Sequence, residues 1–133
     1  MIIADATIWS AALDGHIPGL GALVASLRLK HEVSAPTAVF AEVLAEATDP
    51  RAAQQVRTWA MDAPSVNETN TAWLAAGDLG AHLRREGVML SVLDLFLVAL
   101  CLREGWSLWT TNSAIHRASG VLPVKLYEPI GIG

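Results

Sequence analysis

The chain has 133 residues, 53% of them hydrophobic and 17% charged, with a formal net charge of −4 at pH 7. That length and apolar content fit one domain over residues 1–133, with a real core and apolar surface left to hide, part of it in a homodimer. The negative charge argues against sequence-blind nucleic-acid binding through a basic face, but not against a nucleic-acid enzyme whose negative charge is gathered at a metal site.

Met1 to Ala4 is a short apolar run that reads as a buried first strand ending at Asp5. No basic stretch precedes it, so no signal peptide is expected. Asp5-Ala6-Thr7 leads into an apolar segment, Ile8 to Leu13, and Asp14-Gly15 and Pro18-Gly19 are turn chemistry. Leu20, Leu23, Val24 and Leu27 fall at helical spacing, with Arg28 and Lys30 near the end, where cations suit the helix dipole. His31 to Ala35 reads as a second strand stopped by Pro36. Thr37 is placed to cap a helix through Leu44 that turns Val39, Phe40, Val43 and Leu44 inward. Glu42 and Glu46 lie one turn apart on its flank. Asp49-Pro50 starts the next helix, which carries Val56, Trp59 and Ala60. Pro64 to Val66 is a third strand, and Thr71 to Glu86 a helix with Leu74, Leu79 and Leu83 inward and Gly87 as its stop.

Val88 to Asn112 organises the rest. A helix apolar almost all round is ended by Gly105 and runs into a fourth strand, Ser107 to Thr111. Asp94 interrupts its apolar run, which also falls short of the roughly 20 residues a membrane span needs. The only cysteine, Cys101, lies here as a small hydrophobe, so no disulfide framework exists and a reducing compartment is expected. A cytoplasmic protein with no membrane association is the expectation. Ser113 to Ser119 is a short helix or turn, and Val124 to Tyr127 a fifth strand.

Strand and helix alternate throughout, the pattern of an α/β three-layer α/β/α sandwich around a mainly parallel five-stranded sheet. With strand order 3-2-1-4-5, the first and fourth strands are neighbours, and the ligand crevice opens beyond their carboxyl ends. Asp5, Glu42, Asp94 and Asn112 then converge there. Each also has an ordinary structural reading: Asp5 as a turn former, Glu42 as a solvated flank, Asp94 in a capping box with Ser91, and Asn112 as a left-handed turn residue. Carboxylates gathered this closely repel unless a cation neutralises them, and hard oxygen donors suit Mg²⁺ or Mn²⁺. Zinc is disfavoured, because His16, His31, His82 and His116 show no ligand spacing and Cys101 has no partner. A carboxylate-held dication at the mouth of a sheet suggests phosphodiester hydrolysis.

Asp5-Ala6-Thr7, Glu42 in Ala-Val-Phe-Ala-Glu-Val-Leu, Asp94 in Leu-Asp-Leu-Phe-Leu-Val-Ala, and Thr110-Thr111-Asn112 together resemble the acidic motifs of PIN-domain ribonucleases. Length and coverage resemble the VapC-type toxins of toxin–antitoxin pairs. The resemblance implies a Mg²⁺- or Mn²⁺-dependent endoribonuclease acting on structured RNA, a dimer, and an antitoxin whose C-terminal segment covers the active-site groove. By position it implies Asp5 and Asp94 as metal ligands, Glu42 completing the acidic pocket, and Asn112 in the fourth place, where the family often has Asp. The family commonly has one more acid beyond that position. Ser113-Ala114-Ile115-His116 offers none, so a single ion is expected. Thr7 and Thr110 are candidates for orienting carboxylates, and His116 and Arg117 for touching RNA phosphate. Two other readings stay open. A catalytically inert PIN-like module that binds RNA or protein is one. The other is a phosphoryl-transfer fold with Asp5 as phosphoacceptor, which lacks the lysine it wants at a strand end.

Overall fold

A computed structural model describes residues 1–132. Strand β1 (Ile2–Ala4) is followed by helices α1 (Ala6–Asp14) and α2 (Leu20–Leu29), then β2 (Val33–Ser34). Helices α3 (Thr37–Ala45), α4 (Pro50–Asp62), α5 (Asn70–Arg85) and α6 (Val92–Glu104) come next, and β3 (Ser107–Trp109), α7 (Ser113–Ser119) and β4 (Lys125–Leu126) complete the described chain. The four strands are parallel and run in the order β2-β1-β3-β4.

Parallel strands flanked by helices are as expected, but the sheet has four strands among the described residues, not five. Pro64 to Val66 does not pair as a strand. Its main tie toward the sheet is the Pro64 carbonyl, which accepts from the Ser34 hydroxyl. Proline supplies no N–H to extend a ladder there. The strands are also shorter than the apolar runs that mark them. His31 adopts a left-handed φ of 54°, a turn conformation, so pairing begins only at Val33.

Helix α6 is apolar on nearly every side because it is covered on two, by β3 and by α5. Gly105, at φ 71°, closes it in the left-handed conformation that glycine adopts without steric cost. Asp49 caps α4 as its sequence predicts, with its carboxylate accepting from the Ala52 N–H. Thr37 does not cap α3. Pro36 holds the cap position and Thr37 is the first helical residue. Leu74, expected inward, is 73% exposed, because Ala72, Ala76 and Leu83 form the buried line of α5.

The tryptophans serve the packing. Trp9 is buried, donates its indole N–H to the Ala4 carbonyl at 2.9 Å, and lies against Phe40 and Trp59 at centroid distances of 4.9 and 5.1 Å. Trp73 stacks on Phe96 at 4.0 Å, and Trp109 meets Tyr127 edge-on at 5.0 Å. Aromatic pairs in these geometries stabilise the core beyond their buried area alone.

Candidate active site

Register brings the first elements of the site together. Ala4 pairs with Trp109 across the β1–β3 ladder, so the residues that follow, Asp5 and Thr110, leave the sheet side by side. The Asp5 N–H continues the ladder to the Trp109 carbonyl at 3.0 Å. Strand order reverses at β1, with β2 on one side and β3 on the other, and such a switch point opens a crevice at the carboxyl ends of the strands.

Asp5 is 2% exposed and both of its carboxylate oxygens are held. Oδ1 accepts from the Thr7 hydroxyl and from the backbone N–H of Thr7 at 3.0 Å and of Ile8 at 3.4 Å, so Asp5 also caps α1. Oδ2 accepts from the hydroxyl of Thr110, itself 7% exposed. The Thr7 hydroxyl oxygen in turn accepts the Thr111 N–H at 3.0 Å, and the Thr110 hydroxyl oxygen accepts the Asn112 N–H at 2.9 Å. Two threonines therefore tie one carboxylate to the turn that follows β3.

Asp94 is the third residue of α6. Its N–H donates to the Ser91 hydroxyl at 3.1 Å, and its Oδ2 accepts from Asn112 Nδ2 at 3.2 Å. Asn112 caps α7, its Oδ1 accepting the Ala114 N–H at 2.9 Å. The cap bond turns the amide NH₂ toward Asp94. An aspartate in that place would set a second carboxylate against the first, whereas Asn112 supplies a donor. Glu42 is exposed at the rim, and its carboxyl senses Asp94, Glu46 and Asp5.

All three acids hold their protons more tightly than usual. Burial is the main cause for Asp5, offset in part by Thr110, Thr7 and the Ile8 N–H, with Asp94 adding repulsion. Burial also raises Asp94, against the bonds from Ser91 and Asn112. Glu42 is raised by desolvation first, then by Asp94, Glu46 and Asp5. Among the described residues the ion pairs are Arg28–Asp62 and Arg103–Glu104, and neither involves these acids. Hydroxyl and amide donors hold the carboxylates in place without cancelling their charge.

The donor set is all oxygen, the kind that hard dications take. Among the described residues no three His, Cys, Asp or Glu side chains converge in metal-holding geometry. The carboxylates of this set are Asp5 and Asp94, with Glu42 at the rim. A cavity of about 240 Å³, lined in part by Thr110, Thr111, His116 and Tyr127, opens beside this cluster. Neither this cavity nor a larger one, about 490 Å³ between α2 and α4, is lined by Asp5, Glu42 or Asp94.

The PIN domain family model matches residues 2–121. The chain belongs to the PIN-domain family. No curated protein matches it. Its fold is similar to that in the crystal structure of VapBC2 from Rickettsia felis bound to a DNA fragment from their promoter, with a TM-score of 0.73 and 17% identity over 96% of this chain and 98% of that one. In this PIN domain, Asp5, Asp94, Asn112, Thr7 and Thr110 form one hydrogen-bonded cluster. Glu42 stands beside it, and His116 touches it through the Thr110 carbonyl at 3.0 Å. Arg117 is exposed on α7. Two contributors had no signal in the sequence: the Thr111 N–H, because a backbone donor carries no residue signature, and the contact of His116 with Thr110, which depends on where α7 begins.

Proposed function

We propose that this PIN domain is a Mg²⁺- or Mn²⁺-dependent endoribonuclease, the toxin component of a toxin–antitoxin pair, cutting phosphodiester bonds in structured RNA. The carrying observation is the pair Asp5 and Asp94, buried enough to raise their proton affinity and held by neutral donors, with no cationic side chain among the described residues paired to either. Such a pair is costly in isolation and is relieved by a dication.

Asp5 and Asp94 would hold the ion, with Glu42 reaching it or its waters from the rim. When bound, the dication supplies Lewis acidity to the phosphate and lowers the pKa of the attacking water. The protein's own part is positioning. Thr7 and Thr110 fix both oxygens of Asp5, and Ser91 and Asn112 fix Asp94, so the carboxylates need not reorganise when the phosphate arrives. Glu42, the most exposed of the three acids and raised in pKa, would accept a proton from water. Arg117, exposed on α7, would contact an RNA phosphate near the cut, whereas His116 is engaged with the Thr110 carbonyl.

A protein antitoxin covering the active-site groove is the proposed partner, supported by the likeness to VapBC2. Leu74, Met89 and Val92, apolar yet exposed on the α5–α6 hairpin, support a homodimer. Among the described residues no helix is long and apolar enough to cross a membrane. The test is an RNA cleavage assay with Mg²⁺ or Mn²⁺, with EDTA, and with the Asp94→Asn variant. Discrete cuts that need metal and vanish in the variant support the proposal. Cuts that survive EDTA or the substitution overturn it, and an inert protein that still binds RNA would favour the non-catalytic module.

A further inference from the structure

We propose that His116 is a positioning residue for the acidic site, acting through the peptide unit between Thr110 and Thr111. This role rests on the nuclease reading for its catalytic consequence, but not for its structural one. Strand β3 ends at Trp109, so the Thr110 carbonyl lies past the last ladder partner while its residue is buried. A buried carbonyl needs a donor. His116 Nε2 lies 3.0 Å from it, and since a carbonyl only accepts, that nitrogen carries the hydrogen.

The other end of the same peptide plane is held as well. The Thr111 N–H donates to the Thr7 hydroxyl oxygen at 3.0 Å, and that hydroxyl donates to Asp5 Oδ1. One residue further, the Asn112 N–H donates to the Thr110 hydroxyl oxygen, whose hydrogen goes to Asp5 Oδ2. Releasing the Thr110 carbonyl frees the plane to rotate, and rotation draws both threonine hydroxyls off Asp5 together. Asn112 closes the ring: it caps α7, which carries His116 one turn on from that cap, and it donates to Asp94. His116 thus couples the seating of α7 to the orientation of both carboxylates, without touching either in the hydrogen-bonded network.

The experiment compares His116→Ala with His116→Gln, whose amide N–H reaches as far as Nε2. In metal-free protein, amide hydrogen exchange at Thr111 and Asn112 should accelerate about tenfold in the Ala variant and about twofold or less in the Gln variant, the loss of one ordinary hydrogen bond. Core amides such as Leu97 should be unchanged in both. In the cleavage assay kcat should fall about tenfold for Ala, recover for Gln, and KM for RNA should hold in both. Unchanged exchange in the Ala variant overturns the inference, as does a Gln variant no better than Ala. A raised KM at constant kcat also overturns it, because that is the signature of a phosphate contact. If the wild type cleaves no RNA while exchange responds as expected, the positioning role stands and the nuclease reading falls.

Discussion

Replacing Thr110 by Val keeps the shape of a buried side chain and removes one hydroxyl. Two bonds go with it: the one that hydroxyl donates to Asp5 Oδ2 and the one it accepts from the Asn112 N–H. A hydrogen bond to a charged group is worth about 1.5–3 kcal/mol, and a neutral backbone bond about 1. Some relaxation toward water leaves a loss of roughly 2–4 kcal/mol. For 133 residues an unfolding entropy of about 2.1 cal/mol/K per residue gives about 0.28 kcal/mol/K, so Tm should drop by roughly 7–14 °C. The loss should depend on pH. Burial raises the Asp5 pKa above 3.8 and Thr110 opposes that rise. A raised carboxyl stabilises the fold below its unfolded pKa, and that stability is lost as pH climbs through the folded value. Without Thr110 the folded pKa climbs further and the loss deepens above it. Thermal melts of both proteins in EDTA at pH 4 and pH 8 check this. A Tm difference under about 2 °C, or one equal at both pH values, would refute the idea that this hydroxyl holds an ionised Asp5.

Asp94→Asn should raise Tm in metal-free protein near neutral pH, because burial disfavours the ionised carboxylate, and the gain should vanish as pH falls below 3.8. Melts in EDTA across that range decide it. A Cβ at Gly80 would sit 2.6 Å from Leu95 Cδ1 at the α5–α6 contact, whereas one at Gly77 on the same helix meets nothing within 4 Å. Gly77→Ala should therefore stabilise by about 1 kcal/mol, and Gly80→Ala should destabilise by roughly 1–2, both read by urea denaturation. The Cys101 thiol is buried with its pKa pushed up to about 12, so a thiol reagent should modify it only when the protein unfolds, a rate readable by absorbance.

Much of this was legible in the sequence because the signals were local. The Asp49-Pro50 cap, the glycine stop at Gly105 and the all-round apolarity of α6 each follow from a few neighbouring residues. The parallel order around β1 followed from alternation and left Asp5 and Thr110 adjacent. Failures came where a tertiary choice decided. Pro64 to Val66 is apolar enough for a strand, yet its main tie to the sheet is one side-chain bond from Ser34. Leu74 reads as inward by spacing, but the small residues Ala72 and Ala76 form the close contact face instead. At the site, residue types were legible and their wiring was not. Nothing in Thr110-Thr111-Asn112 says that the cap bond of Asn112 would turn its NH₂ onto Asp94.

A calorimetric titration of Mn²⁺ into the RNA-free protein asks most directly whether Asp5 and Asp94 form a cation site. Binding of one ion per chain is predicted, weakening as pH falls, because carboxyls of raised pKa must ionise to ligate. Affinity should fall about tenfold or more in Asp5→Asn and in Asp94→Asn. Undiminished binding in both variants, or none to the wild-type protein, would contradict it.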